Sequence, residues 1–215
     1  MTPIDHTNSH HDDDLEAVAQ ALRDALSAPG TPPPIADAAA AAGLLDVAYA
    51  TTDSPVGRLL LATTPVGLAR LAYLEGDGED AVLADMAARL SPRVLSAPAR
   101  LDGPRRELDE YFEGRRRRFD VALDLRLMTD FTRRVLAATA AIPYGSLSSY
   151  RDVATAAGSP RGSRAAGNAL GSNPLPIVLP CHRVVHSDGG LGGYTGGLDR
   201  KRTLLAIERS APGEP

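Results

Sequence analysis

The chain of 215 residues contains one cysteine, Cys181, which lies in an apolar stretch and directly precedes a histidine. A single thiol excludes an intramolecular disulfide, so packing of a core must hold the fold, and the chain suits a reducing compartment. With 43% hydrophobic residues the chain can bury such a core, and its length allows one or two domains. We expect a soluble, cytoplasmic protein, because no apolar run approaches a membrane span and the N-terminus lacks a signal-peptide pattern.

The neighbours of Cys181 favour a reactive thiol. A thiol becomes a strong nucleophile only when it loses its proton, and an adjacent histidine or arginine can lower its pKa. His182 and Arg183 supply two such groups, so the sequence predicts a thiol pKa well below the ~8.5 of a free cysteine. The alternative is that a lone cysteine in an apolar stretch is only a small buried hydrophobic residue.

A series of short motifs surrounds the cysteine box Pro-Cys-His-Arg-Val at residues 180–184. They occupy, in order, residues 131–136, 142–145, 149–150, 163–167, 173–174, 193–198 and 201–208. In this order the chain resembles the O6-alkylguanine-DNA alkyltransferases, the self-methylating repair proteins whose acceptor cysteine lies in that pentapeptide. The resemblance is close over residues 131–208 and looser over residues 47–124.

Charge is distributed unevenly along the chain. The net charge of −4 argues against a nucleic-acid partner, since phosphate binding usually requires a basic surface. Residues 1–130, however, carry 13 arginines and 22 acids, whereas residues 131–208 carry 9 basic and 4 acidic residues. The positive charge therefore accompanies the cysteine.

Composition divides the chain into four parts. Residues 1–45 combine a polar tail that we expect to be disordered, a short amphipathic helix at 15–26 and a proline-rich linker. Residues 46–125 show strand patterns at 47–50, 57–62 and 67–73 and then helical patterns at 80–90 and 101–112. Residues 126–209 carry the cysteine, and residues 210–215 form a second tail. The segment at 121–130 fits the family's connection between its two domains poorly, so the sequence does not fix the domain boundary there. The histidines of the tail are expected to face solvent, so we assign no metal and no cofactor.

The resemblance implies an α/β ribonuclease-H-like domain followed by a mainly α, winged-helix-like domain with a helix-turn-helix. A helix should follow Thr129 as its N-cap, and two more, at about 148–157 and 161–170, would form the helix-turn-helix. The last of these carries small side chains and one long one, Arg164, which suits either close packing or a narrow groove. By resemblance it enters the minor groove, and Arg164 fills the gap left by an extruded base. The resemblance implies these DNA contacts: Tyr150, Arg151, Ser159, Ser163, Arg164, Ala165, Gly167 and Ser187.

Catalytic roles are carried over from the same resemblance. His182 would act through a water as the base for Cys181, and Glu208 would orient and charge its imidazole. Asn173 would tie the recognition helix to the cysteine loop, although a turn asparagine is the alternative. Tyr150 would donate a hydrogen bond to the departing base, although it could be a buried structural tyrosine.

The substrate implied is double-stranded DNA that contains O6-alkylguanine, with O4-alkylthymine as a further candidate, and the protein would act as a monomer. The base pocket implied by the resemblance is lined by Pro176, Val184, Tyr194, Thr195 and Gly196. Because the thioether product has no easy leaving group, each molecule would react once.

Other interpretations of the cysteine, of Arg164 and of the basic run at residues 115–118 remain open. A Cys/His hydrolase would use the same residues, but no oxyanion hole is evident. A non-catalytic lesion-binding or alkylation-sensing protein would share Arg164, but relatives of that kind replace the acceptor cysteine. The basic run at residues 115–118 could contact DNA or form a solvated edge.

Overall fold

The structure, a computed structural model, describes residue 20, residues 35–75 and residues 78–210. The predicted tail, linker and, apart from residue 20, the helix expected at 15–26 lie outside these residues. A helix that the sequence analysis did not predict, α1 (Ile35–Ala41), precedes the first strand and buries Ala36 against Ala48 and Ala97.

The N-terminal domain is built on one four-stranded sheet with the strand order β3-β2-β1-β4. The three predicted strands are present as an antiparallel meander, and the fourth strand pairs parallel to β1. The strands are β1 (Val47–Thr52), β2 (Leu59–Thr63), β3 (Leu68–Tyr73) and β4 (Val94–Ser96).

Both faces of this sheet are covered, which explains the unbroken apolar run of β2. Leu59 and Leu61 point into the main core, whereas Leu60 and Ala62 pack with Met86 of α2 (Gly78–Arg89) on the other face. Side chains alternate across a strand, so a strand buried on both faces loses the polar alternation of an exposed one.

Helix α3 (Asp102–Phe112), which follows a 3₁₀ turn at Pro98–Leu101, packs its apolar side into the main core. Leu108 and Tyr111 are buried there, and the side chain of Tyr111 has no exposed surface. The predicted helix at 101–112 thus begins one residue later, because the 3₁₀ turn takes up Leu101.

The connection between the domains is fixed to the sheet edge. Leu68 donates its N–H to Ala122 O, and Asp124 donates its N–H to Leu68 O. A Cβ on Gly67, which has φ +155°, would lie 2.3 Å from Ala122 O, so the close approach of the two backbones requires glycine. This backbone pairing is a tertiary contact, which is why the local sequence pattern of residues 121–130 did not predict it.

The C-terminal domain is mainly helical. Thr129 caps its first helix by accepting a hydrogen bond from Thr132 N at 3.2 Å, as the sequence predicts. Its helices are α4 (Asp130–Ala140), α5 (Tyr150–Ala156), α6 (Ser163–Gly171) and α7 (Leu198–Ser210). Two short strands, β5 (Ser148–Ser149) and β6 (Val184–Val185), pair in parallel.

Helices α5 and α6 form the predicted helix-turn-helix, with shifted ends. Helix α5 begins at Tyr150 because Ser149 is its N-cap and accepts a hydrogen bond from Asp152 N. Helix α6 begins at Ser163 because the turn at Ser159 and Gly162, closed by Gly162 N–H donating to Ser159 O, precedes it.

One core cluster joins the two domains. It contains Leu61 and Tyr111 of the first domain together with Val135 and Cys181 of the second. Leu71 of β3 also donates its N–H to Pro174 O at 2.8 Å, which fixes the cysteine loop to the sheet. Within the described residues, no helix is both long and apolar enough to cross a membrane.

Candidate active site

Cys181 begins a 3₁₀ turn at Cys181–Arg183 that leads into β6, and it is 5% exposed. Asn173, which follows α6, donates from Nδ2 to Cys181 Sγ at 3.1 Å and to Leu179 O at 2.8 Å. Its Oδ1 accepts the N–H of Leu175 at 2.9 Å, which determines which end of the amide faces the sulfur. The amide thus links the end of α6 to the cysteine loop and gives the sulfur a hydrogen-bond donor.

The loop between Asn173 and Cys181 contains a strained residue. Ile177 has φ +74°, the one positive φ at a non-glycine residue among the described residues. For a β-branched side chain this conformation costs on the order of 1–3 kcal/mol and persists only when the surroundings enforce it. Ile177 is 1% exposed, so the burial of its side chain in the core offsets the strain of its backbone.

Behind the cysteine, Glu208 of α7 collects four hydrogen-bond donors. His182 Nε2 lies 2.8 Å and Tyr111 Oη 2.9 Å from its Oε1, and Gly145 N lies 3.0 Å from its Oε2. Arg183 donates through Nε and Nη2 to the same carboxylate. Burial alone would raise the pKa of Glu208, but hydrogen bonds from His182 and Arg183 outweigh it and lower the pKa to about 2. Glu208 is therefore an anion at neutral pH.

This anion determines the tautomer of His182. An ionised carboxylate only accepts, so His182 Nε2 carries the proton that points at Glu208. Burial lowers the pKa of His182, although Glu208 opposes that effect, so the ring is neutral at pH 7. The lone pair is then on Nδ1, which is buried and has no hydrogen-bond partner among the described residues.

The predicted low pKa of the thiol is wrong for the protein without DNA. Burial raises the pKa of Cys181 to about 11, against the opposing effects of the Asn173 hydrogen bond and the charge of Lys201. Arg183 does not assist the thiol as the sequence suggested, because its guanidinium is paired with Glu208 and Ile142 O instead. The cost of burying a thiolate was not visible in the sequence.

Lys201 is a residue that the sequence analysis did not assign to the site. It is fully buried on α7, where burial lowers its pKa to about 8. Its ammonium donates to Val184 O at 2.6 Å and to the carbonyls of Leu191 and Gly193. A signal existed, because Lys201 lies on the helical face that also carries Leu204, Leu205 and Glu208, at a spacing typical of a buried stripe.

Tyr111 and Tyr73, both from the N-terminal domain, also reach the site. Tyr111 Oη lies 2.9 Å from Glu208 and 3.5 Å from His182 Nε2. The hydroxyls of Tyr73 and Tyr194 lie 2.6 Å apart. Neither tyrosine stands out by its sequence context, since both are aromatic positions on predicted core elements, so only the tertiary contact identifies them.

In front of Cys181 lies an open cavity of about 640 Å³ between α5, α6 and the loop that follows β6. Tyr150 crosses it and donates its hydroxyl to Gly193 O at 3.3 Å. Gly167 faces the ring of Tyr150, and Arg164 is an exposed cation on the rim. The cavity therefore connects the sulfur to solvent beside the helix-turn-helix.

The cavity brings together many of the predicted site residues. Those that line it are Tyr150, Arg151, Ser163, Arg164, Gly167, Cys181, Ser187, Tyr194 and Thr195. Asn173, His182 and Glu208 lie behind the cysteine, where they are buried.

Five predicted contact residues do not line this cavity. Ser159 lies against Gly162 in the turn before α6, and Ala165 is exposed on α6 itself. Pro176 is buried in the cysteine loop, Val184 is buried in β6, and Gly196 packs on the ring of Tyr73. Val184 of β6 and the apolar residues of the cysteine loop belong to the main core, which also contains Cys181.

The basic run at residues 115–118 is partly internal. Arg116 pairs with Glu107, Glu110 and Asp120, and Arg115 pairs with Glu113. Arg117 lies over the ring of Tyr144 at 5.8 Å. For Arg116 these contacts support the interpretation as a structural edge. Within the described part of the chain, no group of three His, Cys, Asp or Glu residues could hold a metal ion.

Comparisons with known families match nearly all of the described chain. Residues 47–125 match the ribonuclease-like domain of 6-O-methylguanine DNA methyltransferase, and residues 130–210 match its DNA-binding domain. The two matches meet at the connection that is fixed to the sheet edge.

The matches to curated relatives extend over most of this chain and most of each relative. A methylated-DNA--protein-cysteine methyltransferase of Mycolicibacterium paratuberculosis is 42% identical over 76% of this chain and 93% of its own. A constitutive one from Bacillus subtilis is 36% identical over 75% and 94%.

Solved structures agree. That of Mycobacterium tuberculosis O6-methylguanine methyltransferase has a TM-score of 0.69 at 41% identity and covers 79% of this chain and 96% of that chain. That of Mycobacterium tuberculosis OGT in complex with DNA has a TM-score of 0.67 at 41% identity, covering 76% and 94%.

Proposed function

Since the chain belongs to the 6-O-methylguanine DNA methyltransferase family, we propose that it repairs DNA by transferring the alkyl group of O6-alkylguanine to its own Cys181. The observation that carries this conclusion is the position of Cys181. Its sulfur lies at the floor of the cavity beside the helix-turn-helix, with a hydrogen-bonded His–Glu pair directly behind it.

The reaction is a displacement at the alkyl carbon. The Cys181 sulfur forms a bond to that carbon, the carbon–O6 bond breaks, and its electron pair stays on the guanine. The thiol proton passes through a water to His182 Nδ1, the ring nitrogen that carries the lone pair, and in the overall balance a proton replaces the alkyl group on the base. The product is a thioether, which has no easy leaving group, so each molecule turns over once.

Glu208 is a positioning residue for this step. A neutral imidazole that accepts a proton becomes a cation, and the adjacent carboxylate stabilises that cation without reorganisation. Asn173 and Lys201 act on the sulfur itself, since the amide donor and the buried ammonium both favour the thiolate. Burial opposes the thiolate in the free protein, and these two groups act against that effect.

The target base must leave the duplex, because O6 lies in the base-pairing edge. Exposed α6 offers small residues, Ser163, Ala165 and Gly167, that suit close approach to the minor groove, and Arg164 is its one long cation. Arg164 would fill the space of the extruded nucleotide. Tyr150, Arg151 and Ser187 line the cavity and would contact the backbone or the flipped base, and Ser159, in the turn before α6, would contact the backbone.

The short β5–β6 pair and the loop after it support a winged variant of the helix-turn-helix. Tyr194 and Thr195 of that loop line the cavity and would contact the flipped base, and Gly196 gives the loop its tight path. Pro176 and Val184 would support the pocket from beneath. The protein would act as a monomer in the cytoplasm on double-stranded DNA, with O4-alkylthymine as a second substrate.

Intact-mass measurement tests the function directly. After incubation with duplex DNA containing O6-methylguanine, the protein should gain one methyl group per chain, and Cys181→Ala should gain none. Binding of the lesion without a mass change would instead identify the lesion-binding alternative. Repeated turnover by protein of unchanged mass would point to a hydrolase.

A further inference from the structure

Tyr73, the last residue of β3, connects the N-terminal domain to the base pocket. Its hydroxyl lies 2.6 Å from that of Tyr194, and the two rings meet edge to face with centroids 6.1 Å apart. Tyr194 lines the cavity in front of Cys181, whereas Tyr73 lies behind it. A strand of the first domain therefore supports a side chain that faces the substrate.

The ring of Tyr73 is in contact with Arg200 and Gly196. The guanidinium of Arg200 stacks over it at 4.7 Å and donates to Val56 O, to Gly196 O and to Glu75. Gly196 also packs against the ring, and a Cβ at this position would lie 2.5 Å from a ring carbon. These contacts hold the ring in the position that places its hydroxyl beside that of Tyr194.

Either hydroxyl can donate in the Tyr73–Tyr194 hydrogen bond, and the direction decides which residue keeps an available proton. Each hydroxyl has one proton, and neither has another hydrogen-bond partner among the described residues, so one proton of the pair remains available. If Tyr73 donates to Tyr194, the available proton is on Tyr194, a residue that lines the cavity. In the reverse direction it would be on Tyr73, which does not line the cavity.

We infer that Tyr73 is a positioning residue that donates its hydroxyl proton to Tyr194 and so directs the Tyr194 hydroxyl into the pocket as a donor to the departing base. This inference rests on the proposed function. When the carbon–O6 bond breaks, its electron pair remains on the base, and a donor aimed at that developing charge lowers the barrier. A chain of two hydroxyls polarises the terminal donor and strengthens it.

The test separates the leaving group from the thiol. Transfer from the free base O6-benzylguanine needs stabilisation of a departing purine, whereas labelling by iodoacetamide releases iodide and needs none. Tyr73→Phe removes the hydroxyl but keeps the ring on Gly196 and under Arg200. We expect benzyl transfer to slow roughly 3- to 10-fold, the effect of one hydrogen bond, and iodoacetamide labelling of Cys181 at the same pH to stay unchanged.

Two further variants complete the design. Tyr194→Phe should slow benzyl transfer at least as much, and adding Tyr73→Phe to it should cause no further loss, because Tyr73 acts through Tyr194. Tyr49→Phe is the matched control, a half-buried tyrosine of β1 on the same sheet that packs in the second core cluster away from the site. It should leave both rates at the wild-type value.

Each outcome decides a separate point. If the wild type gains no methyl group from duplex DNA containing O6-methylguanine, the proposed function fails before Tyr73 is tested. If Tyr73→Phe slows both reactions equally, its role is structural, and if it slows neither or adds fully to Tyr194→Phe, the relay is wrong. Circular dichroism of each variant shows whether it is folded, and the single Tyr194→Phe variant keeps the comparison available if the double variant is not.

Discussion

The two sides of Cys181 differ in how completely their polar groups are satisfied. Behind the sulfur, the side chains of His182, Glu208 and Arg183 are at most 7% exposed and share one carboxylate with Tyr111. In front of it, Tyr150 makes one long hydrogen bond across an open cavity, and Arg164 is exposed. We call these the buried relay (Tyr111, His182, Arg183, Glu208) and the open wall (Tyr150, Arg164, Thr195).

The difference corresponds to two physical requirements. A proton relay works best when its donors are already oriented in a medium of low dielectric constant, since no reorganisation is then needed during the reaction. A surface that receives a nucleotide must instead be free of internal partners, so that its groups can bind the ligand. A substitution in the buried relay should therefore change stability and chemistry together, and one in the open wall should slow the reaction with DNA and leave stability unchanged.

The Cys181 thiol lies between the buried relay and the open wall. Its pKa shows whether burial or the neighbouring polar groups dominate its ionisation. With a pKa of about 11 in the free protein, iodoacetamide labelling of Cys181 should rise about tenfold per pH unit beyond pH 8.5, where a free thiol levels off. At pH 7 labelling should be on the order of a hundredfold slower than in urea-unfolded protein. As Cys181 is the one thiol of the chain, mass spectrometry reads this rate without ambiguity. If the labelling rate of the folded protein levelled off below pH 8.5, the buried relay would lower the pKa of Cys181 by more than burial raises it.

Glu208→Gln tests the buried relay. It leaves the Arg183 guanidinium buried without its counter-charge, so urea unfolding should show a loss of about 3 kcal/mol, and alkyl transfer should slow roughly 100-fold. Affinity for DNA should be unchanged. Glu113→Gln, which alters an exposed pair with Arg115, is the control and should be neutral. If affinity for DNA fell by as large a factor as the rate of alkyl transfer, Glu208 would belong to the DNA-binding surface.

Acid should destabilise the protein through the same residue. The folded-state pKa of Glu208, about 2, lies below its ordinary value of 4.5, so its stabilisation is present above pH 4.5 and is lost as the pH falls toward 2. The loss should be on the order of 3 kcal/mol. Urea unfolding between pH 2 and 5 measures it, and the slope should be shallower in Glu208→Gln than in the wild type.

Arg164→Ala tests the open wall. Repair of O6-methylguanine in duplex DNA should slow roughly 10- to 100-fold, because extrusion of a base costs a few kcal/mol that the inserted side chain offsets. Reaction with free O6-benzylguanine and the free energy of unfolding should not change. Arg209→Ala, an exposed arginine at the end of α7, is the control. Equal losses on both substrates would show that Arg164 acts in the chemistry or in the fold.

Tyr111→Phe should have the smallest effect, and it tests whether the first domain belongs to the relay. Glu208 keeps three of its donors, so transfer should slow only about threefold and stability should fall by about 1–2 kcal/mol. Rates and urea unfolding are measured on the same preparation. Tyr49→Phe should change neither, and a rate equal to the wild type would restrict the relay to the C-terminal domain.

Local signals in the sequence were sufficient for most of the fold. Alternation and apolar runs predicted three strands, and the Thr129 cap and the turns at Gly145 and Gly158 predicted the helices of the second domain. Helix α1 and the connection at residues 121–130 were not predicted. Both depend on contacts with a distant strand, namely Ala36 with Ala48 and Ala122 with Leu68.

The sequence by itself determined the family and predicted Cys181 as the nucleophile with His182 beside it, because these follow from the order of short motifs around Cys181. Only the tertiary structure decided the state of that thiol, the partner of Arg183 and the contributions of Tyr73, Tyr111 and Lys201. The physical reason is that a pKa and a hydrogen-bond partner depend on burial and on groups far along the chain. Tyr111 and Glu208, for instance, are 97 residues apart and meet only when the two domains share one core.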